Sequence, residues 1–209
     1  MKEKCYKCDE IETSREHVPA KSFFPPDKRI DLITVPSCDL HNNAKSMDDE
    51  YVRNLLTINA GVNDTGYKLS ESKVIASFKR SRFFLSTVFK NAKDIFYKGE
   101  LTKSIKIDQE RLTEYFIGVG YALYRHEFKK NFVGNWYVHT DFQSKDETTS
   151  SSLKSWELDN RIKLRSYNFP ASSTKNPEIF QYSYIEKNNE IYFKLIYYEN
   201  ACVYLCTIS

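Results

Sequence analysis

Cysteine and histidine recur in the first 41 residues of this chain at the spacing of metal ligands. Two residues separate Cys5 from Cys8, and two separate Cys38 from His41. Zinc takes Cys sulfur and His nitrogen in a closed tetrahedral set, often from two such short-spaced pairs. Cys5, Cys8, Cys38 and His41 would complete one set. Between the pairs lies an acid–histidine dyad, Glu16-His17, and Asn42 directly follows the second pair. Three of the five cysteines belong to this pattern, which points to metal rather than to disulfides.

The surrounding residues sharpen the pattern. Arg15-Glu16-His17-Val18-Pro19 and Val35-Pro36-Ser37-Cys38-Asp39-Leu40-His41-Asn42-Asn43-Ala44-Lys45-Ser46 resemble the zinc-containing branch of the HNH endonucleases, which are built on a ββα-metal nuclease core. The resemblance covers residues 5–53. It implies that His17 is the general base and that Glu16 is a ligand of a catalytic divalent ion, Mg2+ or Mn2+. It implies that Asn42 is a further ligand of that ion and opens the helix, and that Lys45 and Ser46 match the Lys-Gly or Lys-Ser that follows. The chain departs from the family in two places. Its last zinc ligand is His41, where Cys is commoner. The asparagine that many members carry before the second pair is replaced by the stretch Asp31-Leu32-Ile33-Thr34-Val35.

These residue types suit phosphodiester hydrolysis. A histidine of near-neutral pKa can take a proton from water, and a hard divalent ion on oxygen ligands can stabilise a leaving oxygen. Glu16 and Asn42 offer such oxygens, and Asp49 or Glu50 could add a carboxylate from the helix. Lys45 or Arg15 could neutralise a phosphate oxygen. Adjacent residues of a regular strand point to opposite faces, so Glu16 and His17 can serve one site only where the strand is distorted.

The elements that must position these groups follow from pattern. Thr13–Pro19 and Leu32–Val35 read as strands, and Leu40–Leu56 as a helix with Met47, Tyr51, Leu55 and Leu56 on its apolar face. The resemblance implies an HNH module over residues 1–60, and the pattern predicts a helical and antiparallel β region over 61–209. In the latter a helix is expected from Ser70, as N-cap, to Tyr97, and a second from Asp108, as N-cap, to Lys130. Gly118 and Gly120 in the second mark close helix packing. Strands are expected at Trp136–Phe142, Ile162–Phe169, Ile179–Ile185, Ile191–Tyr198 and Cys202–Ile208, the last three as a meander. Lys187-Asn188-Asn189 and Glu199-Asn200 supply its turns. Ser144–Ser155 reads as a polar loop. Cys202 and Cys206 lie about 13 Å apart by strand rise and cannot chelate one ion as a pair. His126 on an apolar stripe and the Tyr-rich strands read as core, and His139 has no partner motif.

The chain has 209 residues, enough for a sizeable core, with 41% hydrophobic and 28% charged side chains. The sequence has no apolar run of membrane-spanning length, and Met1-Lys2-Glu3-Lys4 is unlike a secretion signal, so a cytoplasmic protein is expected. The net charge of +3 is unevenly spread: residues 61–106 carry ten basic and four acidic side chains. Lys79, Arg82, Lys90 and Lys93 fall on one flank of the first expected helix. With Arg15 they form a candidate nucleic-acid contact, although such a flank can equally be a solvated face.

The expected fold is α+β: a zinc-stapled ββα module, two long helices and an antiparallel sheet. The expected function is metal-dependent cleavage of nucleic acid, DNA in the first instance. Two other readings are a non-catalytic zinc module that binds nucleic acid, and a nuclease effector or toxin of a defence system. In the last, the C-terminal region would meet a protein partner or a second copy.

Overall fold

The computed structural model describes residues 2–43, 45–74, 90, 92–97, 99–142, 163–172 and 174–208. The chain mixes helix and sheet, with the Cys/His group near its N-terminus. Strands β1 (Ser14–His17) and β2 (Thr34–Ser37) pair antiparallel, Glu16 opposite Val35 and His17 opposite Thr34. The connection between them carries 3-10 turns at Lys21–Phe23 and Pro26–Lys28. The helix expected at Leu40–Leu56 is two pieces, α1 (Asp39–Asn43) and α2 (Ser46–Thr57). Tyr51, Val52, Leu55 and Leu56 of α2 are buried, whereas Met47 is exposed because it sits in the first turn, at the surface.

After α3 (Asp64–Leu69) comes a hairpin of β3 (Lys93–Tyr97) and β4 (Glu100–Ser104). The 20-residue α4 (Gln109–Phe128) follows. Strands β5 (Asn135–Thr140), β6 (Phe180–Lys187), β7 (Glu190–Tyr197) and β8 (Ala201–Ile208) form one antiparallel sheet in the order β5-β8-β7-β6. Helix α4 packs on this sheet, on α2 and on β2. Asp108 caps it as expected, accepting from the Arg111 amide at 3.1 Å. Gly120 lets the helix approach: a Cβ there would meet Trp136 at 3.1 Å and Leu205 at 3.2 Å. One cluster of buried side chains runs from Cys5, Tyr6 and Val35 through Leu55, Phe116 and Leu123 to Phe193 and Leu205. It therefore includes residues on both sides of position 60. Among the described residues no helix is long and apolar enough to cross a membrane.

Two sequence expectations need correction. The helix expected over Ser70–Tyr97 does not begin at Ser70, since helical backbone already runs from Asp64, and Lys93–Tyr97 is strand. Asn63 is the cap, accepting from the Gly66 amide at 3.0 Å, and Ser70 lies at the C-terminal end of α3. Ile95, Phe96 and Tyr97 are strand, because aromatic and β-branched residues followed by Gly99 at φ 84 favour a hairpin. Residues 75–89, with most of the expected helix, lie outside the described residues. Of the strand expected at Ile162–Phe169, the described residues are not strand: residues 163–166 make a helical turn, and Leu164 and Tyr167, three apart, pack on Tyr192 and Tyr204 of the sheet. The loop expected at Ser144–Ser155 lies outside the described residues.

His139 has a partner after all. It is buried on β5 with Nε2 2.6 Å from Asp141 Oδ1, and the Arg165 guanidinium clamps the same carboxylate at 2.9 and 2.7 Å. Burial opposes ionisation of Asp141, yet His139 and Arg165 hold its carboxyl well below the usual carboxylate range. A carboxylate whose native pKa is depressed stabilises the fold above its unfolded pKa, and that contribution is lost as pH falls through the native value. Asp141→Asn is therefore expected to cost about 1.5–3 kcal/mol at pH 7, with the difference from the parent narrowing below about pH 4. Urea melts of both proteins at neutral and acid pH measure this. A penalty independent of pH would refute it.

Candidate functional site

The first knuckle is a tight turn closed by the Cys5 amide donating to the Glu10 carbonyl at 2.8 Å. The second sits where β2 gives way to α1, and the His41 and Asn42 amides both donate to the Cys38 carbonyl at 3.1 and 3.0 Å. The Tyr6 amide donates to the Pro36 carbonyl at 2.8 Å and so brings the two knuckles together. Asn131, after α4, braces the first from behind by donating to the carbonyls of Cys5 (2.8 Å) and Cys8 (3.4 Å).

The ligand atoms of Cys5, Cys8, Cys38 and His41 all lie within 4.8 Å of one another. His41 Nδ1 is 3.4 Å from Cys5 Sγ and 3.3 Å from Cys38 Sγ, and the Cys8 and Cys38 sulfurs are 3.8 Å apart. A tetrahedral ion with Zn–S bonds of about 2.3 Å and a Zn–N bond of about 2.0–2.1 Å separates its ligand atoms by about 3.5–3.8 Å. The donor set and its spacing fit zinc. All five cysteines are free of disulfides. Cys202 and Cys206 are half-buried along β8, against the second core cluster.

A cavity of about 430 Å³ is lined by Glu16, His17, Ala20, Lys21, Ser22, Asn42, Ser46, Asp49, Glu50 and Arg53. Glu16 and His17 are neighbours in sequence, yet both reach it, because β1 ends at His17 and the chain turns away into Val18-Pro19. Asn42, Ser46, Asp49, Glu50 and Arg53 come from α1 and α2. Their spacing of four, seven, eight and eleven residues from Asn42 is that of one helical stripe.

The cavity wall is charged and partly dry. Glu16 is 4% exposed, with Lys45 Nζ 3.7 Å from its Oε1. Burial raises Glu16 to about 7 although Lys45 opposes it, and the Asp49 carboxylate adds to the rise. Burial also raises Asp49 to about 6, against Lys45 and Arg53. Asp49 Oδ1 is buried without a hydrogen-bond partner. Burial and the Lys21 ammonium lower the pKa of half-buried His17, so its imidazole is neutral at neutral pH. Asn42 Nδ2 donates to Ser14 Oγ at 2.7 Å.

The residues expected to serve a site thus separate into groups. Glu16, His17, Asn42 and Glu50 share the cavity. Lys45 is not among its lining residues: it lies behind Glu16, donating to the Tyr6 hydroxyl at 3.4 Å, over the Tyr6 and Tyr115 rings and against Gly118. Arg15 points to the other face of β1, bonded to Thr34 and paired with Glu3 and Glu12. Lys90 and Lys93 are exposed, Lys93 at the start of β3, while Lys79 and Arg82 lie outside the described residues. Asp48 is held by Arg111 at 2.6 Å, and is not simply a solvated helix charge. Lys21, Ser22 and Arg53 were not assigned roles from sequence. For Arg53 the signal is its helical spacing from Asn42; nothing in the sequence marks Lys21 or Ser22. Compared with models of protein families, with curated proteins and with solved structures, the chain matches none.

Proposed function

We propose that this chain is a metal-dependent endonuclease of the HNH type that hydrolyses phosphodiester bonds in nucleic acid, DNA in the first instance. The observation that carries the reading is the convergence of Glu16, His17, Asn42 and the α2 acids on one cavity. The Cys/His set, whose donors suit zinc, is a separate group whose role is to hold the two knuckles. With four protein ligands zinc would have no open position, so hydrolysis is assigned to the cavity and not to the zinc.

In this reading neutral His17 accepts a proton from the attacking water at its ring nitrogen. The Asn42 amide nitrogen is committed to Ser14, which leaves the carbonyl oxygen as the atom available to a cation. Glu16 and Asn42, with Glu50 or Asp49, would hold Mg2+ or Mn2+, which when bound supplies charge stabilisation for the leaving oxygen. Lys45 keeps the Glu16 carboxylate in place from behind. Arg53, ion-paired with Glu50 at 3.6 Å, offers positive charge at the cavity wall.

Relaxation of supercoiled plasmid with and without Mg2+ or Mn2+ tests the reading. Metal-dependent nicking supports it. DNA binding without cleavage in either metal would leave the non-catalytic zinc module in its place. The exposed Lys90 and Lys93 are proposed to hold backbone phosphate, so reversing both charges should weaken binding across all sequences and flatten its salt dependence. Unchanged affinity at low salt would make them a solvated surface.

A further inference from the structure

On the face of β1 opposite Glu16 lies a second cavity of about 430 Å³, separate from the one proposed for cleavage. Its walls come from three distant parts of the chain: Arg15 and Val18 at β1, Ile33 and Thr34 at β2, and the end of α4 together with residues 174–182. The size is that of a small-molecule site.

Its chemistry is two-sided. One wall is apolar and fixed: Val18, Phe24 and Phe180 are 3%, 4% and 2% exposed. Phe180 stacks with the half-buried Tyr182, ring centres 5.9 Å apart and planes at 17°, which backs the Tyr182 ring as the surface open to another ring. The rest is mostly polar, with three cations, Arg15, Lys129 and Lys175, against one lining acid, Asp31. His126 also lines it, and the Lys129 ammonium donates to the His126 carbonyl. The pairs of Arg15 with Glu3 and Glu12 are long, 3.5 and 3.8 Å, and the arginine is half-exposed, so a bound anion can compete for it. Lys175 is exposed at the rim. Lys129 takes left-handed backbone at φ 55 as the C-cap of α4, which turns the chain at the rim.

We propose that this cavity binds a small ring-bearing anion of the nucleoside monophosphate class. The ring lies on the Phe180–Tyr182 wall and the phosphate meets Arg15, Lys129 and Lys175. The volume suits one ring and one phosphate rather than a strand, and the site does not depend on the nuclease reading.

Calorimetry on the full zinc-loaded chain tests it, with AMP, GMP, CMP and UMP as probes and adenosine and inorganic phosphate as controls. At least one monophosphate should bind with Kd below about 1 mM, and each control at least about tenfold more weakly. Lys175→Glu, at an exposed position, and Arg15→Gln should each weaken that binding about tenfold, whereas His17→Ala, in the other cavity, should leave it unchanged. Any of four results overturns the proposal: no monophosphate binding up to about 5 mM, phosphate alone binding as tightly, both charge variants binding like the parent, or loss of binding in His17→Ala. A thermal melt of each variant confirms that it is folded.

Discussion

His17→Ala is expected to cut nucleic acid about 10²–10⁴-fold more slowly than the parent, the usual loss when a general base is removed. Its fold, its zinc and most of its nucleic-acid affinity should survive, because His17 is only half-buried at the end of a short strand. The control is a histidine in the neighbouring knuckle. His41 Nδ1 sits 3.3 Å from Cys38 Sγ and 3.4 Å from Cys5 Sγ, so His41→Ala should fail by losing zinc and structure. Asn42→Ala, one residue on, should keep the zinc and weaken the second metal, so that added Mg2+ or Mn2+ partly restores cleavage. Metal content, circular dichroism and single-turnover cleavage separate the three outcomes. A His17→Ala protein that cuts at the parental rate would end the nuclease assignment.

Loss of the zinc set should produce the largest change in stability. Structural zinc supplies on the order of 10 kcal/mol of apparent binding energy that becomes folding energy. Cys38→Ala, or chelation of the parent, is expected to abolish zinc binding and to unfold the N-terminal strands and α1. Tyr6, next to Cys5, belongs to the same buried cluster as Phe116 and Phe193, and Asn131 holds the knuckle carbonyls. The loss should therefore also loosen the packing of α4. Hydrogen exchange across residues 14–57 and 109–128 reads both effects. A Cys38→Ala protein with one zinc per chain and the parental melt would refute the assignment of these ligands.

Much of the architecture was legible because it depends on local pattern. Asp108 is both a good cap and the residue before a long amphipathic run, so α4 could be placed almost to the residue. The meander was legible for the same reason at its first turn, where Asn188 and Asn189 tolerate the positive φ required; the second turn places Tyr198 and Glu199 at positive φ. The helix read through Lys93–Tyr97 failed because a short apolar run satisfies helical and strand periods alike, and the hairpin signal at Gly99 decided it. Leu164 and Tyr167 failed in the opposite sense: their spacing suits one helical turn, which serves as a lid on the sheet rather than as a fifth strand.

The sequence by itself marked the N-terminal donor residues, because residue type and the short spacing within each pair are local properties. Cys5, Cys8, Cys38 and His41 could be named as one set, and Glu16-His17 and Asn42 as candidates for another, without a structure. Only tertiary structure decided how the charged residues divide between sites. Strand alternation sends Glu16 and Arg15 to opposite faces of β1: the Glu16 cavity is lined from residues 16–53, whereas the Arg15 face meets elements more than 100 residues away. Gly118 of α4 leaves room for Lys45 behind Glu16, away from the cavity mouth. Burial, with Asp49 adding to it and Lys45 opposing it, then raises Glu16 to about 7. Such shifts arise from desolvation and from the sum of nearby charges, and both are set by which distant residues the fold packs together.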